Sequence, residues 1–140
     1  MASTSLFVMV AVVDHGLDPL EDLRGRSFYV VQVSTQAGSV AVMRSPAARL
    51  VIRDRDIDGE NAFWGACNHM TGTLTVDTER WHVVHGFSTL KGCPDPLDAQ
   101  DKWMTSFLRS SPAWTAPSDT ELVLESNGTR VTLVETDPAR

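Results

Sequence analysis

The sequence predicts an α+β fold, in which a compact, mostly antiparallel β-sheet or partly open barrel carries one packed α-helix before a C-terminal β-hairpin. Three observations support it: strand-like segments recur, a single segment has helical caps and spacing, and Asn-Gly separates two alternating segments near the C-terminus. The 140 residues, 42% of them hydrophobic, suit one domain with its own core. We therefore expect an N-terminal strand and connector over residues 1–19 and one domain over residues 20–136.

The first element is an uninterrupted apolar run at residues 6–13. Eight residues are too few to span a membrane, so the run predicts a buried strand. A degenerate export signal is the alternative, although no Lys or Arg precedes the run. The predicted location is accordingly cytoplasmic, with export as the alternative.

Four further strands are predicted before the helix. Each is rich in β-branched and aromatic residues or alternates with a period of two, and turn residues bound it. These strands cover residues 27–33, 48–53, 73–76 and 81–84. Residues 37–48, between the first two, are the loosest part of the domain.

One helix is predicted after the second cysteine. Asp95 can cap it, Pro96 suits its first position, and Asp98 lies three residues after the cap. Arg109 and Pro112 mark its end. Its apolar side is formed by Leu97, Trp103, Met104, Phe107 and Leu108.

The last element is a β-hairpin with Asn127-Gly128 at its turn. Both residues of such a turn take positive φ, which Asn and Gly tolerate best. A two-residue loop pairs Leu124 with Val131 and places both on the core face.

Charge excludes one class of partner. The net charge is −6 and the basic residues are scattered, so no patch suits a phosphate backbone and no nucleic-acid binding is expected.

Two short segments, residues 65–72 and 88–96, hold the only two cysteines. Together with a leucine-glycine-aromatic segment at residues 23–28 and the closing hairpin, they resemble the signature of the META domain, also called the HslJ-like domain. The resemblance covers about residues 20–135. The resemblance is carried by Cys67, Asn68, Gly72, Thr89, Cys93 and Pro94. Ala66 and Lys91 depart from it, because the family usually has Gly and Met at these positions.

The resemblance implies a mostly antiparallel β domain with one helix, and links to stress response and antibiotic tolerance in bacteria. It implies no established enzymatic activity. It also implies that the two cysteine segments approach each other, with Cys67, Asn68, Gly72, Thr89, Cys93 and Pro94 in structural roles. A disulfide between the cysteines and two buried free thiols both remain open, because the compartment decides between them.

Catalytic and metal sites are not predicted. The cysteine spacing fits no metal-ligand pattern, and His82 and His85 point to opposite faces of a strand. Trp64 and Trp114 are expected in the core or at its rim; because they lie next to turns, the alternative is an exposed apolar patch for partner binding.

The predicted function is a non-enzymatic, stress-associated binding or interaction module without a cofactor. Its expected partner is a protein, and we expect a monomer or weak dimer. The alternative is a small-ligand carrier with a pocket between sheet and helix, and a distant alternative is a thiol-dependent enzyme.

Overall fold

The computed structural model describes residues 19–36, 48–89, 92–94 and 97–136, and the backbone of residues 38–40. The predicted strand at residues 6–13 and the predicted helix cap at residues 95–96 lie outside these ranges. The described elements are α1 (Pro19–Leu23), β1 (Ser27–Thr35), β2 (Gly38–Val40), β3 (Arg49–Ile57), β4 (Glu60–Gly65), β5 (Met70–Val76), β6 (Trp81–Ser88), α2 (Leu97–Arg109), β7 (Ala113–Ser118), β8 (Glu121–Ser126) and β9 (Thr129–Glu135).

The strands form one antiparallel sheet in the order β6-β5-β4-β3-β1-β9-β8-β7, with β2 beside β1. The sheet curls until its two edge strands meet at one end. There Arg80 forms a β-bridge with Ala113, and the amide of Trp81 donates to the carbonyl of Pro112 at 2.9 Å. We call this contact, residues 77–82 and 111–114, the seam. It confirms the predicted partly open barrel.

The inner face of the curled sheet forms the core. One cross-strand row joins Phe28, Leu50, Trp64 and Met70 from β1, β3, β4 and β5, and all four are buried. The predicted helix is confirmed as α2, which packs against β4 and β6. Three of its predicted apolar residues are buried in this core: Met104, Phe107 and Leu108.

The C-terminal hairpin has the predicted register. Asn127 and Gly128 have φ of 50° and 81°, and Leu124 pairs with Val131. Both side chains are at most 2% exposed, because the two-residue turn places them together on the inner face.

Three strands were not predicted: β2, β4 and β7. Of these, β4 and β7 lack a clear period-two pattern. In β4, Asn61 is buried, and its side-chain amide bonds to both the amide and the carbonyl of Leu74. In β7, Pro117 interrupts the strand, and the pairing with β8 shifts between Thr115 and Ser118. Among the described helices, neither is long and apolar enough to cross a membrane.

Candidate functional site

Cys67 and Cys93 are joined by a disulfide bond, with their Cα atoms 6.3 Å apart. The bond connects the turn after β4 to the segment that leads into α2. Of the two alternatives that the sequence left open, the structure has the disulfide. We call the surrounding residues the disulfide corner; they are residues 65–69, Thr89, Cys93 and Asp101.

A buried carboxylate organises the disulfide corner. Asp101 on α2 is only 3% exposed, and it accepts hydrogen bonds from three consecutive backbone amides. These amides belong to Ala66 at 2.6 Å, Cys67 at 3.2 Å and Asn68 at 2.7 Å. The turn begins at Gly65, whose φ of 138° strongly favours glycine and where an added Cβ would collide with the carbonyl of Asn68.

Asp101 was not predicted, yet the sequence contains a signal for it. Asp101 falls on the same helical side as Leu97, Met104 and Leu108, at spacings of four, three and seven residues. An acidic residue on the apolar side of a helix needs a partner when it is buried. The backbone of residues 66–68 supplies that partner.

The predicted motif residues Asn68, Thr89 and Cys93 meet at the same place. The side-chain amide of Asn68 donates to the Cys93 sulfur at 3.2 Å and accepts from the Thr89 hydroxyl at 2.8 Å. Thr89 also bonds through its hydroxyl and its amide to the backbone of His69. The carbonyl of Pro94 accepts the amide of Leu97 at 2.9 Å, at the start of α2.

Gly72 and Trp64, on neighbouring strands, pack against each other. Gly72 lies inside β5, and a Cβ there would be 3.0 Å from the Trp64 ring. Trp64 is 1% exposed, and its indole N–H donates to the Thr105 hydroxyl at 2.9 Å. Of the two alternatives for these tryptophans, Trp64 lies in the core, and Trp114 is partly buried against the core and donates its indole N–H to the carbonyl of Asp77 in the seam.

A cleft of about 560 Å³ lies beside the disulfide corner, between β6 and α2. We call it the β6–α2 cleft. Its volume is typical of small-molecule sites. The Nε2 atom of His85 is buried there and has no hydrogen-bond partner among the described residues. Most of the other lining residues are polar, among them Asn68, Ser88, Lys102 and Ser106, although more of the accessible lining surface is apolar than polar.

Comparison with known proteins identifies the family. The family model for the META domain matches residues 21–138. The chain belongs to the META domain family. No match is found among curated proteins.

Two solved structures share the fold of this META domain. One is described as "NMR structure of the protein from Burkholderia xenovorans"; it is 15% identical, with a TM-score of 0.68 over 84% of this chain and 86% of that one. The other, "NMR structure of the protein", is 12% identical, with a TM-score of 0.59 over 84% of this chain and 95% of that one. At these identities the likeness establishes the fold alone.

The disulfide bears on the predicted thiol alternative. A bonded sulfur is neither a thiolate nucleophile nor a metal ligand. The sulfurs of Cys67 and Cys93 and a carboxylate oxygen of Asp101 lie within 4.8 Å of one another. A thiolate released beside this carboxylate would be repelled by it, so the corner disfavours thiol chemistry.

Proposed function

We propose that this META domain is a binding module whose ligand site is the β6–α2 cleft, and that the cleft holds its ligand without chemical conversion. The observation that carries the proposal is the buried Nε2 atom of His85, which has no partner among the described residues. A buried polar atom without a hydrogen bond costs about 1–3 kcal/mol. Because the atom is closed to solvent, a ligand group would pair with it after the His85 ring turns toward the cleft, and the pair would then recover that energy.

The lining favours a small polar ligand. Ser88 and Ser106 contribute hydroxyl groups, and the ion pair between Lys102 and Asp98, at 3.1 Å, adds both charges. Met70 contributes the main apolar surface among the lining residues. Because apolar surface is also exposed in the cleft, this combination suits a molecule with several hydrogen-bonding groups on an apolar frame.

The disulfide corner supports the cleft from one side. Asn68 lines the cleft, and its backbone amide and side chain are held by Asp101, Cys93 and Thr89. A wall held in this way loses little conformational entropy when a ligand binds, which favours affinity.

An NMR screen tests this proposal. A library of small polar fragments is added to ¹⁵N-labelled protein, and amide shifts are followed. We expect some fragments to shift the amides of His85, Ser88 and Ser106 together. Ser106→Trp, which fills the cleft, should abolish these shifts, whereas Ser118→Trp, at an exposed site on β7, should preserve them.

Shifts that survive in Ser106→Trp, or fragments that bind only elsewhere, would contradict the cleft as the ligand site. A comparison of the two tryptophan variants by circular dichroism shows whether both are folded.

A second candidate function is contact with a partner protein along β6. Val84 and Phe87 on this edge strand are 69% and 58% exposed. Large apolar residues on an open edge are an aggregation liability unless a partner covers them. Replacing both by Ser should weaken cross-linking to a partner in cells without changing fragment binding in the cleft, and unchanged cross-linking would remove this candidate.

The location of the protein bears on both candidates. The cytoplasmic location stays a prediction, and the disulfide supports its alternative, export, because such bonds persist in oxidising compartments. The link to stress response rests on the family. Alkylation of fresh cell fractions with a mass tag tests the location, since untagged cysteines before reduction would indicate an oxidising compartment.

A further inference from the structure

Three side chains form a hydrogen-bonded chain in the seam, away from the β6–α2 cleft. The Ser111 hydroxyl oxygen lies 3.2 Å from Nδ1 of His82, and Nε2 of His82 lies 3.2 Å from a carboxylate oxygen of Asp77. An ionised carboxylate only accepts, so Nε2 donates its proton to Asp77. In the neutral ring Nδ1 is then the acceptor, and the Ser111 O–H donates to it.

The backbone of Ser111 is unusual for this residue type. Its φ is 57°, in the left-handed region. The other non-glycine residues with positive φ in the described ranges are Asp58 and Asn127, whose short polar side chains favour that conformation. Strained backbone is concentrated at functional sites, because the surrounding structure must hold it.

The backbone hydrogen bonds that close the seam do not require a serine at position 111. The hydrogen bonds that close the seam here use the carbonyl of Ser111, which accepts from Arg80 at 2.8 Å, and the carbonyl of Pro112, which accepts from Trp81 at 2.9 Å. Glycine would serve the backbone bonds equally and without strain. The hydroxyl group adds a side-chain bond to His82 across the seam, which the backbone bonds do not require.

We propose that Ser111, His82 and Asp77 form a site that hydrolyses small polar carboxylic esters, with Ser111 as nucleophile, His82 as general base and Asp77 as the group that orients His82. This is the arrangement of roles that serine hydrolases share on unrelated folds. Hydrogen bonds from the amides of Arg80 and Glu79 and from His82 lower the pKa of Asp77, which keeps it ionised for this role.

In the first half of the reaction, the Ser111 oxygen attacks the ester carbonyl carbon and its proton passes to Nδ1 of His82. The tetrahedral intermediate expels the alcohol, which takes that proton and leaves an acyl-Ser111 ester. In the second half, water gives a proton to Nδ1 and attacks the acyl carbon. The carboxylic acid leaves, and the Ser111 hydroxyl is restored with the proton from His82.

Arg80 can stabilise the oxyanion of the intermediate. Its guanidinium group carries five N–H donors and touches the carbonyl of Ser111 through one of them. Arg80 also lines a neighbouring depression of about 520 Å³, together with Ser110, Ala113 and the β8–β9 turn. Polar residues of that turn and of β8 line the depression, whereas Ser111 and His82 lie beside it and outside its lining. A substrate bound at Ser111 would extend its polar acyl or alcohol group into the depression.

Hydrolysis of 4-nitrophenyl acetate by the full chain tests the proposal. We expect a burst of nitrophenolate followed by slow turnover. Ser111→Gly should lower the rate about a hundredfold, the scale of general-base catalysis, without loss of folding because glycine accepts the positive φ. Ser118→Ala is the matched control and should keep the wild-type rate, because Ser118 is exposed at the end of β7 and does not line the depression.

A fluorophosphonate probe provides the second measurement. Mass spectrometry should place the label on Ser111 in the wild type and find none in His82→Gln, while His85→Gln stays labelled. Equal rates in wild type and Ser111→Gly, or a label on another residue, would overturn the proposal. Fragment binding in the β6–α2 cleft is independent of either result.

Discussion

The disulfide corner and the seam hold the two ends of α2 by different means. At the N-terminal end, a covalent bond and the buried carboxylate of Asp101 fix three backbone amides. At the C-terminal end, the seam relies on exposed side chains such as Asp77 and His82 and on two backbone bonds between strand edges. Water competes with exposed polar contacts and does not compete with buried ones. The corner should therefore dominate stability, and the seam is free to serve chemistry.

The largest effect is expected at Asp101. Asp101→Ala leaves the amides of residues 66–68 without their acceptor in a buried position, and should lower the free energy of unfolding by about 3–5 kcal/mol. Asp98→Ala is the matched control on the same helix; it removes the exposed ion pair with Lys102 and a carboxylate of the first helical turn, and should change stability by at most about 1 kcal/mol. Urea unfolding measures the stability of both variants. Equal losses would show that the buried Asp101 carboxylate contributes no more than the exposed Asp98 carboxylate.

Loss of the disulfide should have the next largest effect. Replacing Cys67 and Cys93 by Ala increases the conformational entropy of the unfolded chain, because the loop across a separation of 26 residues is no longer closed. The free energy of unfolding should fall by about 3–4 kcal/mol. The variant should remain folded, because Asp101 still holds the turn. Urea midpoints of the variant and of reduced wild type should agree, and a midpoint equal to that of the oxidised wild type would mean that the bond contributes nothing.

A single seam bond should contribute less. Trp114→Phe keeps an aromatic ring but removes the indole N–H that donates to the carbonyl of Asp77 at 2.8 Å. One neutral hydrogen bond at a partly exposed site is worth about 0.5–1.5 kcal/mol, so thermal unfolding should shift only slightly. A loss as large as that of Asp101→Ala would reverse the ranking of corner and seam.

The smallest effect is the pH dependence of the seam. The amides of Arg80 and Glu79 and the ring of His82 lower the pKa of Asp77 in the folded state. The unfolded chain then binds this proton more tightly, so the stability from Asp77 is present above pH of about 4 and is lost as the pH falls through the folded value. Unfolding of wild type and Asp77→Asn should converge in acid, and a constant difference between them from pH 7 to 2 would contradict this assignment.

Local patterns predicted the elements whose cause is local. The Asn127-Gly128 turn fixed the register of the last hairpin, and the spacing of Met104 and Leu108 predicted the buried side of α2. Strand β4 was missed because a buried Asn61 and a central Trp64 do not alternate with polar residues. The sequence left both a core and a surface position open for Trp64, since its environment comes from Gly72 on the next strand.

By itself, the sequence determined the fold class, the family motif and which segments carry the two cysteines. Only the tertiary structure decided what those segments do, because the contacts join residues far apart in the chain. Asp101 meets the amides of residues 66–68 across more than thirty positions, and Ser111 meets His82 across 29. Such encounters depend on how the sheet curls and where α2 packs, and no local spacing of residues records either of them.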